Sequence, residues 1–298
     1  MKGVHYNVYT EPRGDLNLRM EICRRALRCG QLLTPDTVAI TNGCTEALSV
    51  ALQAVTSRGD TVAIESPTYF GLLQLLEALG LNALELPTDA DEGLDVDALE
   101  RALRSRPVKA CLFSSGFNNP LGCAMTEEKK GSILALLETH GVPLIEDDIY
   151  GDIYFGPARP RPFMALAPNA DVTYCSSFSK TLAPGYRVGW IAAPRHMEKV
   201  LEAKFALTLC GAALPQAALA EFLSSGGYDS HLRRMRRAFA ENIDRMSRAI
   251  DTRHAAGRRL RPMAPIAEAV RQPPFVRRRY RVRHLLPAGR CFLGVEKP

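Results

Sequence analysis

The stretch "VKACLFSSGFNNPLGCAMTEEKKGSILALLETHGVPLIEDD", residues 108–148, sets two apolar runs on either side of a helix-length segment. The runs, VKACLFSS (108–115) and VPLIEDD (142–148), read as strands, and TEEKKGSILALLETHG (126–141) reads as the helix between them. Neither strand alternates apolar with polar residues. Continuous apolar character fits a strand buried on both faces, which crossover helices on a parallel sheet provide. The unit predicts an α/β doubly wound fold.

The same grammar extends in both directions. Leu16 to Cys29 reads as an amphipathic helix, TVAITNG (37–43) as a strand ending in a turn, and 44–60 as a helix. TVAIES (61–66) and NALELP (82–87) read as strands around a helix at 68–80, followed by an Asp-capped helix at 95–106. Two more strands follow, DVTYCSS (171–177) and RVGWIAAP (187–194). From Arg195 the signals are helical only: 195–209, 215–225, and a long helix from Tyr228 to about Ile250.

Composition bounds the class. A hydrophobic content of 46% with 23% charged residues is that of a globular protein with a sizeable core, and no apolar run is long enough to predict a membrane span. The first fifteen residues lack the apolar core of a secretory signal, and the eight cysteines are scattered without metal-ligand spacing. Free or buried thiols in a reducing cytoplasm are the expectation. The net charge of +6 belongs to the tail: residues 251–298 hold eleven Arg and one Lys against three acids, while the preceding 250 residues are slightly acidic. That tail has no sustained period and few aromatics, and it reads as disordered or non-native rather than as a nucleic-acid-binding arm.

Ligands of doubly wound sheets gather at the carboxyl ends of the strands. There the sequence places Gly43-Cys44-Thr45, a glycine turn opening a helix, whose free N–H groups suit a phosphate. Tyr69 offers an aromatic face after the strand at 61–66, and Asn119 sits in a rigid turn before Pro120. Asp147 and Tyr150 end the strand at 142–148; Ser177, Ser179 and Lys180 end the next; Arg187 opens the last. One ligand class uses them all, a planar phosphorylated heteroaromatic aldehyde. The lysine amine condenses with the carbonyl, the carboxylate faces the ring nitrogen, and amide and phenol donors reach the ring oxygen.

With these residues the chain resembles the class I/II, fold-type I pyridoxal-5′-phosphate aminotransferases. It looks closest to the aminotransferase-like domain of MocR-type regulators, which follows a GntR-like winged helix. The matching segments are YTEPRGDLNLR, VAITNGCTEAL, IESPTYFGLLQLLEALG, GFNNPLG, PLIEDDIYGDIYF, SSFSKTLAPGYRVGW and LPQAALAEFLSSGGYDSHLRRMRR, spanning about residues 9–250. The resemblance implies an α/β/α large domain over 1–204, a helical segment and interdomain helix over 205–250, and an incomplete small domain, with 251–298 atypical. It implies Lys180 as the lysine that binds the cofactor aldehyde and shuttles the proton, Asp147 as partner of the pyridinium, and Tyr150 and Asn119 on the phenolic oxygen. It further implies Tyr69 stacked on the ring, and Ser177, Ser179, Arg187 and Gly43–Thr45 on the phosphate. Tyr9 would reach the phosphate of a neighbouring subunit, which implies a homodimer.

The implied reaction moves an amino group between an amino acid and a 2-oxo acid. The alternatives are a cofactor-binding effector or dimerisation domain of a MocR-type regulator, with nucleic acid contacted only through a winged helix elsewhere, and an inactive fragment. The chain reads as clipped at both ends, and no counterpart of the family's substrate-carboxylate arginine follows residue 250.

Overall fold

The computed structural model describes residues 9–253, with side chains to residue 248. In chain order the elements are α1 (Leu16–Arg28), β1 (Val38–Thr41), α2 (Cys44–Val55), β2 (Thr61–Ser66), α3 (Phe70–Leu79), β3 (Asn82–Asp89), β4 (Gly93–Leu94) and α4 (Val96–Ser105). Then come β5 (Val108–Ser114), α5 (Glu127–His140), β6 (Leu144–Asp147), α6 (Phe163–Leu166), β7 (Val172–Ser177), β8 (Gly189–Ala192), α7 (Met197–Thr208), α8 (Ala213–Ser224) and α9 (Gly227–Arg253). Side chains set several starts. Asp15 accepts from the Leu18 N–H at 2.8 Å, Asp95 from Ala98 at 2.9 Å and Thr126 from Lys129 at 3.2 Å, each satisfying a helix donor that has no carbonyl of its own.

Eight strands form one sheet in the order β1-β8-β7-β6-β5-β2-β3-β4. The pairs from β7 through β6, β5 and β2 to β3 are parallel, as the crossover helices demand. β8 runs antiparallel to both neighbours, and β4 antiparallel to β3. Apolar cores cover both faces. One packs Leu18 and Ile22 of α1, Leu99 of α4, Ile133 of α5 and Leu219 of α8 against the sheet; the other packs Leu48 and Leu52 of α2, Leu76 of α3 and Val200 of α7. Burial on both sides accounts for the unbroken apolar runs: all residues of β1 and β7 are buried.

The expected elements are present, with shifted ends. The helix expected over 44–60 stops at Val55, and the one expected over 68–80 starts at Phe70, with Tyr69 at its cap. The last strand opens at Gly189 rather than Arg187, because Arg187 takes a left-handed conformation (φ 51°) in the turn before it. The two-residue β4 and the one-turn α6 had no counterpart in the sequence reading. α8 and the first turns of α9 share a core with α1 through Leu219, Leu223, Tyr228 and Leu232. Among the described residues no helix is long and apolar enough to cross a membrane. Of the tail expected to be atypical, 251–298, residues 251–253 continue α9 and the rest lies outside the described residues.

Register brings the strand ends together. Gly189 pairs with Thr41 on one side and Ser177 on the other, so the turn at 42–45, Arg187 and the Ser179–Lys180 turn leave the sheet at one edge. Asp147 is likewise abreast of Cys175 and Ser114.

Candidate active site

Lys180 follows β7 and Asp147 ends β6, adjacent parallel strands whose backbones run about 4.8 Å apart. Both groups therefore reach the same carboxyl edge of the sheet. Asp147 Oδ1 accepts from the Ile149 N–H at 3.2 Å and from the Cys44 thiol at 3.5 Å. Burial pushes its carboxyl up to about 6, because two weak donors do not replace the water it has lost. A cation or ring N–H against Asp147 would complete it. Lys180 is half-buried, and desolvation lowers its pKa, which raises the fraction of free amine. No ion pair engages it among the described residues.

Beside this pair stand a phenol and an amide. The Tyr150 hydroxyl, buried next to Asp147, accepts from Asn119 Nδ2 at 3.5 Å, and burial pushes the phenol up to about 12. It stays a neutral donor through the physiological range. Tyr69 caps α3 half-open to solvent, its ring tilted 55° against Phe70 at 4.8 Å. Its position depends on Gly71, where a β-carbon would lie 2.4 Å from Cε1 of the tyrosine.

The anion seat is built by two close approaches. Gly43 has φ 90°, which opens α2 with its first N–H groups facing outward. Arg187 folds back over that turn, and its Nη2 donates to the Asn42 carbonyl at 2.9 Å. A β-carbon on Gly43 would lie 2.7 Å from Nη2, and one on Gly189 would lie 2.6 Å from the Gly43 carbonyl carbon. The turn is pinned from behind by Glu46, which accepts from the Asn42 N–H and from the Thr208 hydroxyl at 2.6 Å. Ser177 is buried, with its Oγ accepting from the Ser179 N–H at 3.3 Å. Thr45 is exposed at the helix start.

Of the residues expected at the site, Lys180, Asp147, Tyr150, Asn119, Tyr69, Gly43, Cys44, Thr45, Ser177, Ser179 and Arg187 all lie at or beside this sheet edge. Tyr9 stands apart, 83% exposed near the start of the described chain. Glu46 and Gly189 carry no signal in the sequence because they act through contacts with distant residues, and Gly71 carries none because its role depends on the rotamer of Tyr69. The neighbouring Asp148 is not part of the site: it accepts from Tyr174 Oη at 2.8 Å and pairs with Arg159 on the other face of the sheet.

A three-layer α/β/α fold with a lysine and a carboxylate on adjacent strand ends, beside a glycine-opened helix, is the fold-type I arrangement. The family model for aminotransferase class I and II matches residues 2–263, and the chain belongs to that family. Its cofactor is pyridoxal 5′-phosphate, and the residues just described fit that group.

The uncharacterized HTH-type transcriptional regulator YdcR of Escherichia coli is 46% identical over 239 residues, covering 80% of this chain and 51% of that protein. The 2-aminoadipate transaminase of Thermus thermophilus is 33% identical, over 73% of this chain and 55% of its own length. The chain thus spans about half the length of these relatives. Among solved structures, LysN, the α-aminoadipate aminotransferase of Thermus thermophilus complexed with N-(5′-phosphopyridoxyl)-L-leucine, superposes with a TM-score of 0.80 at 30% identity, over 88% of this chain and 67% of that one.

Proposed function

We propose that this chain binds pyridoxal 5′-phosphate through Lys180 and transfers an amino group between an amino acid and a 2-oxo acid. The observation that carries the reading is the delivery of Lys180 and Asp147 to one sheet edge by adjacent parallel strands. When bound, the cofactor supplies a ring that accepts the electrons left when the substrate Cα loses its proton.

The chain's own residues do the rest. Lys180 Nζ would hold the cofactor through its carbonyl, and its amine, favoured by desolvation, would move the proton at the substrate Cα. Asp147 keeps the ring nitrogen protonated; its raised pKa is the desolvation that this pairing offsets. Tyr150 and Asn119 would orient the ring oxygen, and Tyr69 would cover the ring. The phosphate would be held by the α2 N–H groups at Gly43–Thr45, by Ser177 and Ser179, and by Arg187. Tyr9, solvent-exposed within its own subunit, would reach the phosphate of a second copy, so the working unit is a homodimer.

A second reading is favoured by the relatives, several of which are HTH-type transcriptional regulators. In it the same pocket senses the cofactor or an amino-acid adduct for a DNA-binding module, and turnover is dispensable.

The test is spectroscopic. The purified chain reconstituted with the cofactor should turn yellow, borohydride should fix the label on Lys180, and Lys180→Ala should abolish both. A colourless wild type overturns the reading. Amino acids that convert the bound cofactor to its amine form mark the transferase; binding without conversion marks the sensor.

A further inference from the structure

We propose that Tyr228 and His231, in the first turns of α9, are positioning residues for Lys180; the proposal rests on the cofactor attaching there. The lysine lies in the turn that follows β7, and the next residue, Thr181, is 3% exposed. Both polar groups of Thr181 are held by α9. Its Oγ1 accepts from the Tyr228 hydroxyl at 2.6 Å, and its carbonyl accepts from His231 Nε2 at 3.0 Å. The spacing i, i+3 puts the two donors on one helix face. Burial pushes the Tyr228 phenol far up, so it remains a donor. On the other side of the lysine, the Phe178 ring meets Tyr228 edge-on at 5.6 Å. Lys180 is thus bracketed by two residues that both answer to one tyrosine.

The rest of the turn is held locally, with the Phe178 N–H donating to the Val188 carbonyl at 3.0 Å. The amides of Leu182 and Ala183 share one acceptor, the Phe178 carbonyl, at 2.8 and 3.2 Å. Behind it is a cavity of ≈ 730 Å³ between α1, the 148–161 segment and α9, lined by Ser177, Phe178, Thr181 and Tyr228 among others. Phe178 is packed against Trp190 at 4.8 Å and against Tyr228, and at the cavity's edge the hydrogen bonds from α9 fix Thr181, the residue next to the lysine. The first turn of α9 is in turn tied to α1, where Asp229 pairs with Arg25 at 2.5 Å and Arg28 at 2.8 Å, and Arg25 lies over the Tyr228 ring at 4.4 Å. A shift of α9 is transmitted through Thr181 to the amine, and a misplacement of about 1 Å at a reacting group can cost about a hundredfold in rate. The inference gives α9 a role beyond linking parts of the chain: its seat sets the geometry of the Schiff-base lysine.

The experiment uses the full chain reconstituted with pyridoxal 5′-phosphate. It follows the pH midpoint of the colour change of cofactor attached at Lys180, with the melting temperature recorded alongside. Tyr228→Phe and Thr181→Val each remove one end of the bond and should shift the midpoint by about half a unit or more, in the same direction. Thr181→Ser keeps the acceptor and should titrate as wild type. Midpoints unchanged in the first two variants, with only the melting temperature lowered, overturn the proposal and leave a purely structural contact. If both fail to fold, His231→Leu, which cannot donate to the Thr181 carbonyl, decides at that half-buried position, and an unchanged midpoint there overturns it. A wild type that forms no coloured adduct sinks the cofactor reading itself, a result distinct from an adduct that ignores α9.

Discussion

Asp147 and Asp148 are consecutive in the chain and work on opposite faces of the sheet. Asp147 meets the Cys44 thiol of α2 at 3.5 Å, whereas Asp148 accepts from Tyr174 Oη at 2.8 Å and pairs with Arg159. The alternation of a strand end separates a chemical carboxylate from a structural one.

Asp148→Asn therefore tests structure. Asp148 is 2% exposed, and Arg159 keeps Asp152 as its second partner at 2.8 Å. Removing one member of a buried pair costs about 3–5 kcal/mol, and the remaining partner puts this case near about 3 kcal/mol. Denaturant titration should show that loss, while cofactor affinity of the folded protein stays within about twofold.

Asp147 should reveal itself through pH. Its carboxyl is pushed up to about 6 in the cofactor-free fold, so between the unfolded value near 4 and that point the native state binds more protons than the unfolded chain. Stability of the cofactor-free protein then falls as pH rises through this window, by up to about 3 kcal/mol before solvent screening. Glu65 and Glu146, both raised to about 7 by burial, add losses of the same sign, so the difference between wild type and Asp147→Asn isolates the aspartate. Melting temperatures from pH 4 to 7 should fall less steeply in Asp147→Asn. Bound cofactor should restore more stability above pH 6 than below it in the wild type alone.

How much of this was legible in the sequence depends on the range of the contact. Asp147, Lys180 and Asn119 could be read because each closes a strand or turn whose pattern is local. That β8 is antiparallel could not be read, because GWIA (189–192) is buried alike in either direction. β4 is two residues long, too short for any period to register. The hold of Tyr228 on Thr181 spans 47 residues and leaves no local mark, since a tyrosine on an amphipathic helix face reads as core. Arg187 lies in a left-handed turn rather than opening the strand as its sequence predicts, because Pro184-Gly185-Tyr186 form a tight helical turn that delays β8.

Gly71→Ala sets two effects against each other. Alanine raises helix propensity by about 1 kcal/mol over glycine. Its methyl would lie 2.4 Å from Cε1 of Tyr69, whose ring is 42% exposed and free to swing aside. The fold should therefore be unharmed or slightly more stable, while the ring loses the place proposed for it over the cofactor. Equilibrium titration should show cofactor affinity lowered severalfold with an unchanged or higher melting temperature. A variant with wild-type affinity would remove Tyr69 from the site.

Gly189→Ala offers no such escape. Its methyl would lie 2.6 Å from the carbonyl carbon of Gly43 and 2.8 Å from the carbonyl oxygen of Ser176, both backbone atoms. Neither can swing away, so β8 must separate from the Gly43 turn and carry Arg187 with it. Overpacking of this kind costs about 1–3 kcal/mol, and here it also dismantles the anion seat. Gly185, in the turn four residues before Gly189, has open space around its own β-position. Gly185→Ala is thus the matched control, with stability within about 0.5 kcal/mol of wild type. Inorganic phosphate should protect wild type and Gly185→Ala against thermal unfolding and fail to protect Gly189→Ala. Equal protection of all three would place the phosphate seat elsewhere.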